Sequence, residues 1–189
     1  MSPADWPRFR EAPSFRNGKE CLFSELYSSS TATPYSAEEE EMSLCDPLSV
    51  HVAMTLDANY IRGSVAAILS IVQHSACPEN VVFHFLASEF KRELGRVLRS
   101  TFPYLRFKVY DFDPGLVRDK ISAAVREALE QPLNYARTYL PDILPSCVKR
   151  AIYLDSDLIV LDDIAKLWDI DLDSHPLGAP EYCHANFTA

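Results

Sequence analysis

The sequence predicts an α/β protein built on a mostly parallel sheet. Apolar segments of strand length alternate along the chain with segments of helical periodicity, and this order favours parallel strands joined by helices. The chain has 189 residues, of which 48% are hydrophobic and 24% charged, so it carries enough apolar surface for a folded core. In such sheets ligands bind at the carboxyl ends of strands. We therefore expect the functional residues in the loops that follow the first and fourth strands.

Residues 1–47 are expected to form a flexible leader or linker, and the folded domain to span residues 48–189. The leader is rich in Ser, Thr, Pro and acidic residues and shows no apolar periodicity. It begins without the apolar region of a signal peptide. No apolar stretch in the sequence approaches the ~20 residues that a bilayer crossing needs.

The first part of the domain contains two predicted strand–helix pairs. A buried strand over residues 50–56 precedes a helix whose apolar residues have i, i+3, i+4, i+7 spacing: Val65, Ile68, Leu69 and Val72. A second strand over residues 81–87 precedes a helix with Ser88 as its candidate cap. The inner stripe of that helix is Phe90, Leu94, Val97 and Leu98.

The second part contains two further strands separated by helical segments. Alternating Leu105, Phe107 and Val109 predict a half-exposed third strand. Helices are predicted over residues 117–130 and 133–140, the second ended by Pro141 and Pro145. Residues 151–154 form the predicted fourth strand, and apolar extended chain resumes over residues 158–161.

Charge and cysteine content exclude several function classes. Eighteen basic and 27 acidic residues give a net charge of -9, which argues against nucleic acid as a partner and against anionic membrane surfaces. Five cysteines form neither a CxxC pair nor a Cys/His cluster, so a structural zinc site is not expected. The absence of GxGxxG and GxxxxGK[ST] removes the main support for a dinucleotide oxidoreductase or a P-loop protein.

An acidic interruption follows the fourth strand. Asp155 and Asp157 lie two residues apart between apolar runs, so on extended chain their side chains point to the same side. Two carboxylates so placed repel each other, and a divalent cation such as Mn2+ or Mg2+ would remove that cost. A solvated Asp-Ser-Asp turn is the alternative, and the spacing does not decide between them.

Two other segments carry polar side chains with open interpretations. The loop with Asp57, Asn59 and Tyr60 can hydrogen-bond and stack a nucleobase, or it can cap the following helix. In the segment over residues 134–139, Arg137 can hold a carboxylate or phosphate, or it can be an ordinary surface arginine.

Together, these segments resemble the family 8 glycosyltransferases, and in particular the plant galacturonosyltransferase-like subgroup. The resemblance is carried by residues 53–60, 134–141, 151–158 and 167–168, and for the subgroup also by residues 15–18 and 179–183. It implies a GT-A fold with a Rossmann-like nucleotide-binding sheet. It also implies a retaining transferase that uses a UDP-sugar donor, with UDP-galacturonate expected, and a polysaccharide acceptor in pectin or xylan synthesis.

The same resemblance assigns expected roles to nine residues. Asp155 and Asp157 match the Asp-x-Asp motif that would hold Mn2+ on the diphosphate, and Asp155 or Ser156 would also reach the ribose. Arg137 matches an arginine that reaches the donor sugar, with Asn134 nearby. The residues that match the loop receiving uracil and ribose are Thr55, Asp57, Asn59 and Tyr60. No catalytic residue is assigned.

The resemblance ends at Ala189, before an acceptor-binding region and a His-x-x-Gly motif that supplies a third metal ligand in the family. We therefore expect a truncated chain that contributes about half of an active site. The parent enzyme is expected in the Golgi apparatus, and the sequon at residues 186–188 is consistent with a lumenal origin. The alternative is a catalytically inactive relative that binds a nucleotide or pairs with another glycosyltransferase.

Overall fold

The core of the protein is a four-stranded parallel sheet. The computed structural model describes residues 6–22, 44–118, 120 and 131–180. The strands are β1 (Val50–Thr55), β2 (Val81–Ala87), β3 (Arg106–Asp111) and β4 (Ile152–Tyr153), and their spatial order is β3-β2-β1-β4. The chain moves outward from β1 to β3 and then returns to the other side of β1. The topological switch point therefore lies between β1 and β4, and the prediction of a parallel α/β sheet is confirmed.

One face of the sheet is covered by two helices. They are α1 (Ile61–His74) and α2 (Lys91–Thr101), and both pack against apolar strand residues. The buried cluster between them includes Met54, Phe83, Phe85, Ile68, Ile71, Leu94 and Leu98. Truncation of one such aromatic residue, for example Phe85→Ala, is expected to cost about 3–5 kcal/mol.

The start of α2 differs from its prediction. Ser88 does not cap the helix, because the N-cap position is taken by Phe90 with a left-handed φ of 53°, and no side chain caps the helix there. The inner stripe is as predicted at Leu94 and Leu98, which are fully buried.

The other face carries a second, smaller apolar cluster. Buried residues Leu86, Phe112, Val117 and Ala136 form it, with Tyr135 and Tyr139 packed at its edge. Tyr135, Ala136 and Tyr139 come from a 3-10 helix over Pro132–Tyr139, which continues into α3 (Leu140–Ile143). The prediction of one helix ended by Pro141 is wrong here, because Pro141 lies in the first turn of α3, where no backbone N–H is required. Most of the helix predicted over residues 117–130 lies outside the described residues.

A buried polar chain of side chains also lies on this face of the sheet. His51 on β1 and His84 on β2 are joined by their ring nitrogens Nδ1 and Nε2 at 2.9 Å, and His84 Nδ1 lies 3.0 Å from the Tyr110 hydroxyl on β3. Desolvation by burial is the main cause that lowers the pKa of His51 to about 4 and the pKa of His84 to about 3. Both imidazoles are therefore neutral at pH 7.

The described part of the first 47 residues packs on the domain. Trp6, Phe9, Ala12 and Phe15 lie against the main apolar cluster. Asn17 exchanges hydrogen bonds with Glu79, and the Ala12 N–H donates to the Thr101 carbonyl at 2.7 Å. Residues 6–22 thus differ from the expected flexible leader, because their aromatic side chains find an apolar surface that linear periodicity does not reveal.

Two disulfides join distant parts of the chain. Cys21 bonds to Cys77, and Cys45 bonds to Cys147 across a sequence separation of 102 residues. The sequence showed only an odd number of cysteines without close spacing, so neither pair was predicted. Cys183 lies outside the described residues.

Between β4 and residue 180 the chain contacts α1 and the residues that follow it, and it forms the short helix α4 (Ala165–Trp168). Residues 158–161, predicted as apolar extended chain, alternate in burial, with Leu158 and Val160 packed on the core and Ile159 and Leu161 exposed. The Val160 N–H donates to Ser70 Oγ of α1 at 2.9 Å, which fixes this stretch against the helix. No helix within the described ranges is long and apolar enough to cross a membrane.

Candidate functional site

The loop after β1 forms a compact turn at the switch point. The Asp57 carboxylate accepts a hydrogen bond from the Asn59 N–H at 2.7 Å, and the Asp57 carbonyl accepts one from the Tyr60 N–H at 3.2 Å. Asp57 therefore closes the loop on itself, a bonding pattern typical of aspartate in turns. The alternative role as a helix cap is not observed, since Tyr60 is the N-cap residue of α1 and no side chain caps it. The Tyr60 ring is 63% exposed beside this loop.

The loop after β4 carries the two aspartates. The Leu154 N–H still donates to the Ala53 carbonyl of β1 at 3.0 Å, and the chain turns immediately afterwards at Ser156 and Asp157. Asp155 and Asp157 are both exposed. Across the ranges that the structure describes, no three His, Cys, Asp or Glu side chains gather into a metal-binding group. The turn at Ser156 and Asp157 replaces the extended chain on which the sequence prediction placed both carboxylates on one side, and the two aspartates do not by themselves form a complete coordination shell.

Gly63 brings the first turn of α1 against this acidic turn. A Cβ atom built on Gly63 would lie 2.7 Å from the Ser156 carbonyl oxygen, closer than real Cβ contacts allow. Only a glycine lets the two backbones approach so closely. The helix that follows β1 and the turn that follows β4 therefore meet at the switch point.

Arg137 reaches the site from the 3-10 helix on the other face. Its Nη2 donates to Asp155 Oδ1 at 2.8 Å, and its Nε donates to the Asn134 carbonyl at 3.2 Å. The side chains of Arg137 and Asp155 are 43% and 56% exposed, so this ion pair alone contributes about 0–1 kcal/mol. Of the predicted site residues, Arg137 thus contacts Asn134, three residues earlier in the chain, and Asp155, 18 residues further along it.

Tyr153 is a site residue that the sequence reasoning missed. Its ring lies under the Arg137 guanidinium, with Cζ 4.4 Å from the ring centroid. Burial is the main cause that raises the pKa of Tyr153, while its hydrogen bonding to Thr55 and the charge of Arg137 lower it. The residue lies in an apolar strand pattern, and that pattern gives no signal that one ring faces the site.

The structure therefore connects some predicted residues and not others. Arg137 is hydrogen-bonded to Asn134 and Asp155 and lies over Tyr153. The Ser156 carbonyl contacts the backbone of α1 at Gly63, and Thr55 lies near Tyr153, where it influences the pKa of that residue. Asp57, Asn59 and Tyr60 share the loop after β1, at the neighbouring strand end.

The fold is that of the GT-A glycosyltransferases. A crystal structure of the galactosyltransferase LgtC aligns with a TM-score of 0.56 and 22% identity, and the match covers 66% of this chain and 44% of that chain. The likeness is one of fold.

The chain belongs to glycosyltransferase family 8. The sequence model described as "Glycosyl transferase family 8" matches residues 51–189, which is most of the chain. Similar relatives from Arabidopsis thaliana include "Probable galacturonosyltransferase-like 3", 57% identical over 97% of this chain, and "Probable galacturonosyltransferase-like 4", 54% identical over 96%. The chain spans only about half the length of these relatives, 50% and 46% respectively.

Proposed function

We propose that this chain provides the nucleotide-sugar-binding part, over residues 48–189, of a retaining family 8 glycosyltransferase. The observation that carries the proposal is the contact between Arg137 and Asp155 at the switch point, where the loops after β1 and β4 meet. Ligands of open α/β sheets bind at this position. Family membership and the geometry of this edge support the same assignment.

The proposed donor is a UDP-sugar. In this assignment the uracil and ribose are received by Thr55, Asp57, Asn59 and Tyr60, of which Tyr60 offers an exposed ring for stacking. The diphosphate lies beside the first turn of α1 and the Asp-Ser-Asp turn, which contact each other through Gly63 and Ser156. A helix N-terminus next to a bound metal ion is a favourable environment for phosphate groups.

The proposed cofactor is Mn2+, held by Asp155 and Asp157. Glycosyltransferases of the GT-A fold generally use a divalent metal ion. Two exposed carboxylates at a strand end suit a hard divalent cation, and the diphosphate oxygens would supply further ligands. When bound, such an ion stabilises the negative charge that develops on UDP as the sugar–phosphate bond breaks.

The residues of the chain would then bind and orient the donor. The positively charged guanidinium of Arg137 is held beside Asp155. From this position it can donate hydrogen bonds to a hydroxyl or carboxylate of the sugar. Asn134 restrains that guanidinium through its backbone carbonyl. Ser156 reaches the ribose from the turn between the aspartates.

UDP-galacturonate is the proposed donor sugar, and a pectin or xylan polysaccharide in plant cell-wall synthesis is the proposed acceptor. This step rests on the names of the relatives, which are galacturonosyltransferase-like proteins. The Golgi lumen is the proposed location. The two disulfides support a secretory environment, because disulfides persist in oxidising compartments.

The test of the proposed function is metal-dependent UDP binding. We expect isothermal titration calorimetry to detect UDP binding in the presence of Mn2+ and to lose that signal with EDTA. Asp157→Ala should abolish the Mn2+-dependent part of the affinity, because it removes one of two oxygen donors. UDP affinity that is the same in Asp157→Ala as in the wild type would refute the metal assignment.

The matched control is Asp169→Ala, since Asp169 is an exposed aspartate just after α4. Its removal changes the net charge by the same amount and should leave UDP affinity within about twofold. A wild-type chain that binds no UDP with or without Mn2+ would contradict the donor assignment and favour a non-catalytic, partner-binding relative.

A further inference from the structure

Tyr153 connects three separate segments of the candidate site. It lies on β4, two residues before Asp155, and its ring is half-buried. The Arg137 guanidinium lies over that ring at 4.4 Å from the centroid. Arg137 belongs to the 3-10 helix over Pro132–Tyr139, which is separated from β4 by α3 and residues 144–151. Thr55 and Asp155 lie close enough to the Tyr153 hydroxyl to influence its pKa.

The contacts of Arg137 explain why such a ring is needed. The guanidinium is held by one carboxylate oxygen, one backbone carbonyl and the face of Tyr153. Both partners of the Arg137–Asp155 ion pair are around half exposed, and fixing a long arginine side chain costs more free energy than an exposed ion pair returns. A planar contact with an aromatic face adds attraction and fixes the plane of the guanidinium.

We propose that Tyr153 is a positioning residue of the donor site, whose ring holds the Arg137 guanidinium in the orientation that binds Asp155. The inference deepens the proposed function, because its effect on donor binding rests on Arg137 facing the sugar. The positioning itself exists in the free chain. It can therefore be measured without metal or nucleotide.

A matched pair elsewhere in the chain separates this role from a general effect of aromatic packing. Arg16 lies over the exposed Tyr104 ring with Cζ at 4.8 Å from the centroid, on the opposite side of the domain beside Glu79. Tyr104→Leu removes the same kind of contact. It should leave Arg137 and the donor site unchanged.

The first experiment is nuclear magnetic resonance of the Arg137 side chain in the free chain. We expect the Nε–H group to be ordered and slow to exchange in the wild type and in Tyr153→Phe, which keeps the ring. In Tyr153→Leu we expect Nε–H exchange to be at least about tenfold faster, the loss expected when an ordered arginine becomes free. Tyr104→Leu should match the wild type.

Two results of this experiment would overturn the proposal. The first is an Arg137 side chain as ordered in Tyr153→Leu as in the wild type. The second is a loss of order in Tyr153→Phe as large as in Tyr153→Leu, which would assign the effect to the hydroxyl. If Tyr153→Leu does not fold, the spectrum of the wild type tests the proposal instead. A guanidinium over an aromatic ring shifts the Arg137 Hδ resonances upfield, so unshifted Hδ resonances would contradict the contact.

The second experiment compares two ligands in the presence of Mn2+. Tyr153→Leu should bind UDP within about threefold of the wild type but UDP-galacturonate about tenfold more weakly, because a mobile Arg137 must be ordered when the sugar binds. Equal UDP-galacturonate affinity in both proteins would overturn the proposal. A wild type that binds neither ligand would refute the proposed function, while the resonance experiment still decides the role of Tyr153.

Discussion

At the residue scale, Gly63 shows how a small side chain controls the candidate site. In a helix interior, Gly→Ala ordinarily stabilises by about 0.5–1 kcal/mol. At Gly63 the added Cβ would lie 2.7 Å from the Ser156 carbonyl oxygen, so either α1 or the acidic turn must move. Glycine at position 63 therefore lowers the stability of α1 relative to alanine, but it allows the acidic turn to pack against the helix.

We predict that Gly63→Ala lowers Mn2+-dependent UDP affinity by about tenfold or more, because displacement of Ser156 moves both neighbouring aspartates. Calorimetry measures the affinity, and thermal unfolding reports any loss of stability. Gly95→Ala in α2 is the control, since its added Cβ would meet Val109 Cγ2 at an ordinary 3.9 Å. Unchanged UDP affinity in Gly63→Ala would show that the close approach does not position the site.

The two buried histidines give the protein a specific pH dependence. The pKa of His51 is lowered to about 4 and that of His84 to about 3, against 6.5 for an ordinary histidine. Below pH 6.5 the unfolded chain binds protons that the folded chain does not bind, so the free energy of unfolding falls as the pH is lowered. This loss begins near pH 6.5 and ends near pH 3 to 4.

We predict that the free energy of unfolding drops by on the order of 2 kcal/mol per buried histidine between pH 7 and pH 5. Urea unfolding at the two pH values measures this drop. His51→Gln should show a smaller pH dependence, while His175→Gln, which replaces an exposed ring, should keep that of the wild type. Identical pH dependence in His51→Gln and the wild type would contradict the assignment.

Residues that carry the site were predictable to different degrees. The aspartates stand out because charge interrupts an apolar strand, and their position at a strand end follows from the alternation of elements. Arg137 was noted from its local sequence, but its contact with Asp155 depends on a fold that brings the two together. Tyr153 and Gly63 carried no signal, because an aromatic residue in a strand and a glycine near a helix start have ordinary structural roles.

At the element scale, the strands and the two long helices followed their periodicity closely. The predicted second strand has the same bounds as β2, and the apolar spacing of α1 matches its buried face. The segment over residues 132–143 did not follow, since a 3-10 helix and Pro141 within α3 replace one continuous helix. Proline position alone does not distinguish a helix end from a helix start, because both sites tolerate a missing N–H.

The two disulfides link segments of the chain that are distant in sequence, and the Cys45–Cys147 bond restrains the segment around the short helix α3. Cys147 follows α3, so its bond to Cys45 links the segment that carries Arg137 to the strand-proximal part of the chain before β1. We predict that Cys45→Ser with Cys147→Ser lowers the free energy of unfolding by about 2–5 kcal/mol, as removal of a disulfide that closes a long loop should. Urea unfolding measures the loss.

Reduction of the wild type by dithiothreitol should lower its stability at least as much as the double serine variant does, since reduction breaks both disulfides. Peptide mapping without reduction should recover Cys21 joined to Cys77 and Cys45 joined to Cys147. A different pairing in the mapped peptides would contradict the packing of residues 6–22 on the domain and the link between Cys45 and Cys147.

At the scale of the whole molecule, the protein combines a nucleotide-binding type of sheet with an N-terminal segment fastened to it. The alternation of strands and helices predicted the parallel sheet, whereas the β3-β2-β1-β4 order comes from the structure, and it places the switch point where the polar loops lie. The packing of residues 6–22 was not predictable, because its aromatic residues are spaced irregularly and its partners, such as Phe90 for Trp6 and Glu79 for Asn17, lie far along the chain.

The central claim is that Mn2+ and UDP bind together at the ends of β1 and β4. The most direct test is paramagnetic broadening of amide resonances when Mn2+ is added to the chain in the presence of UDP. We predict broadening centred on residues 55–60 and 155–157, and its loss in Asp157→Ala. Broadening centred instead on the acidic stretch over residues 162–173, or broadening that does not require UDP and survives Asp157→Ala, would contradict the claim.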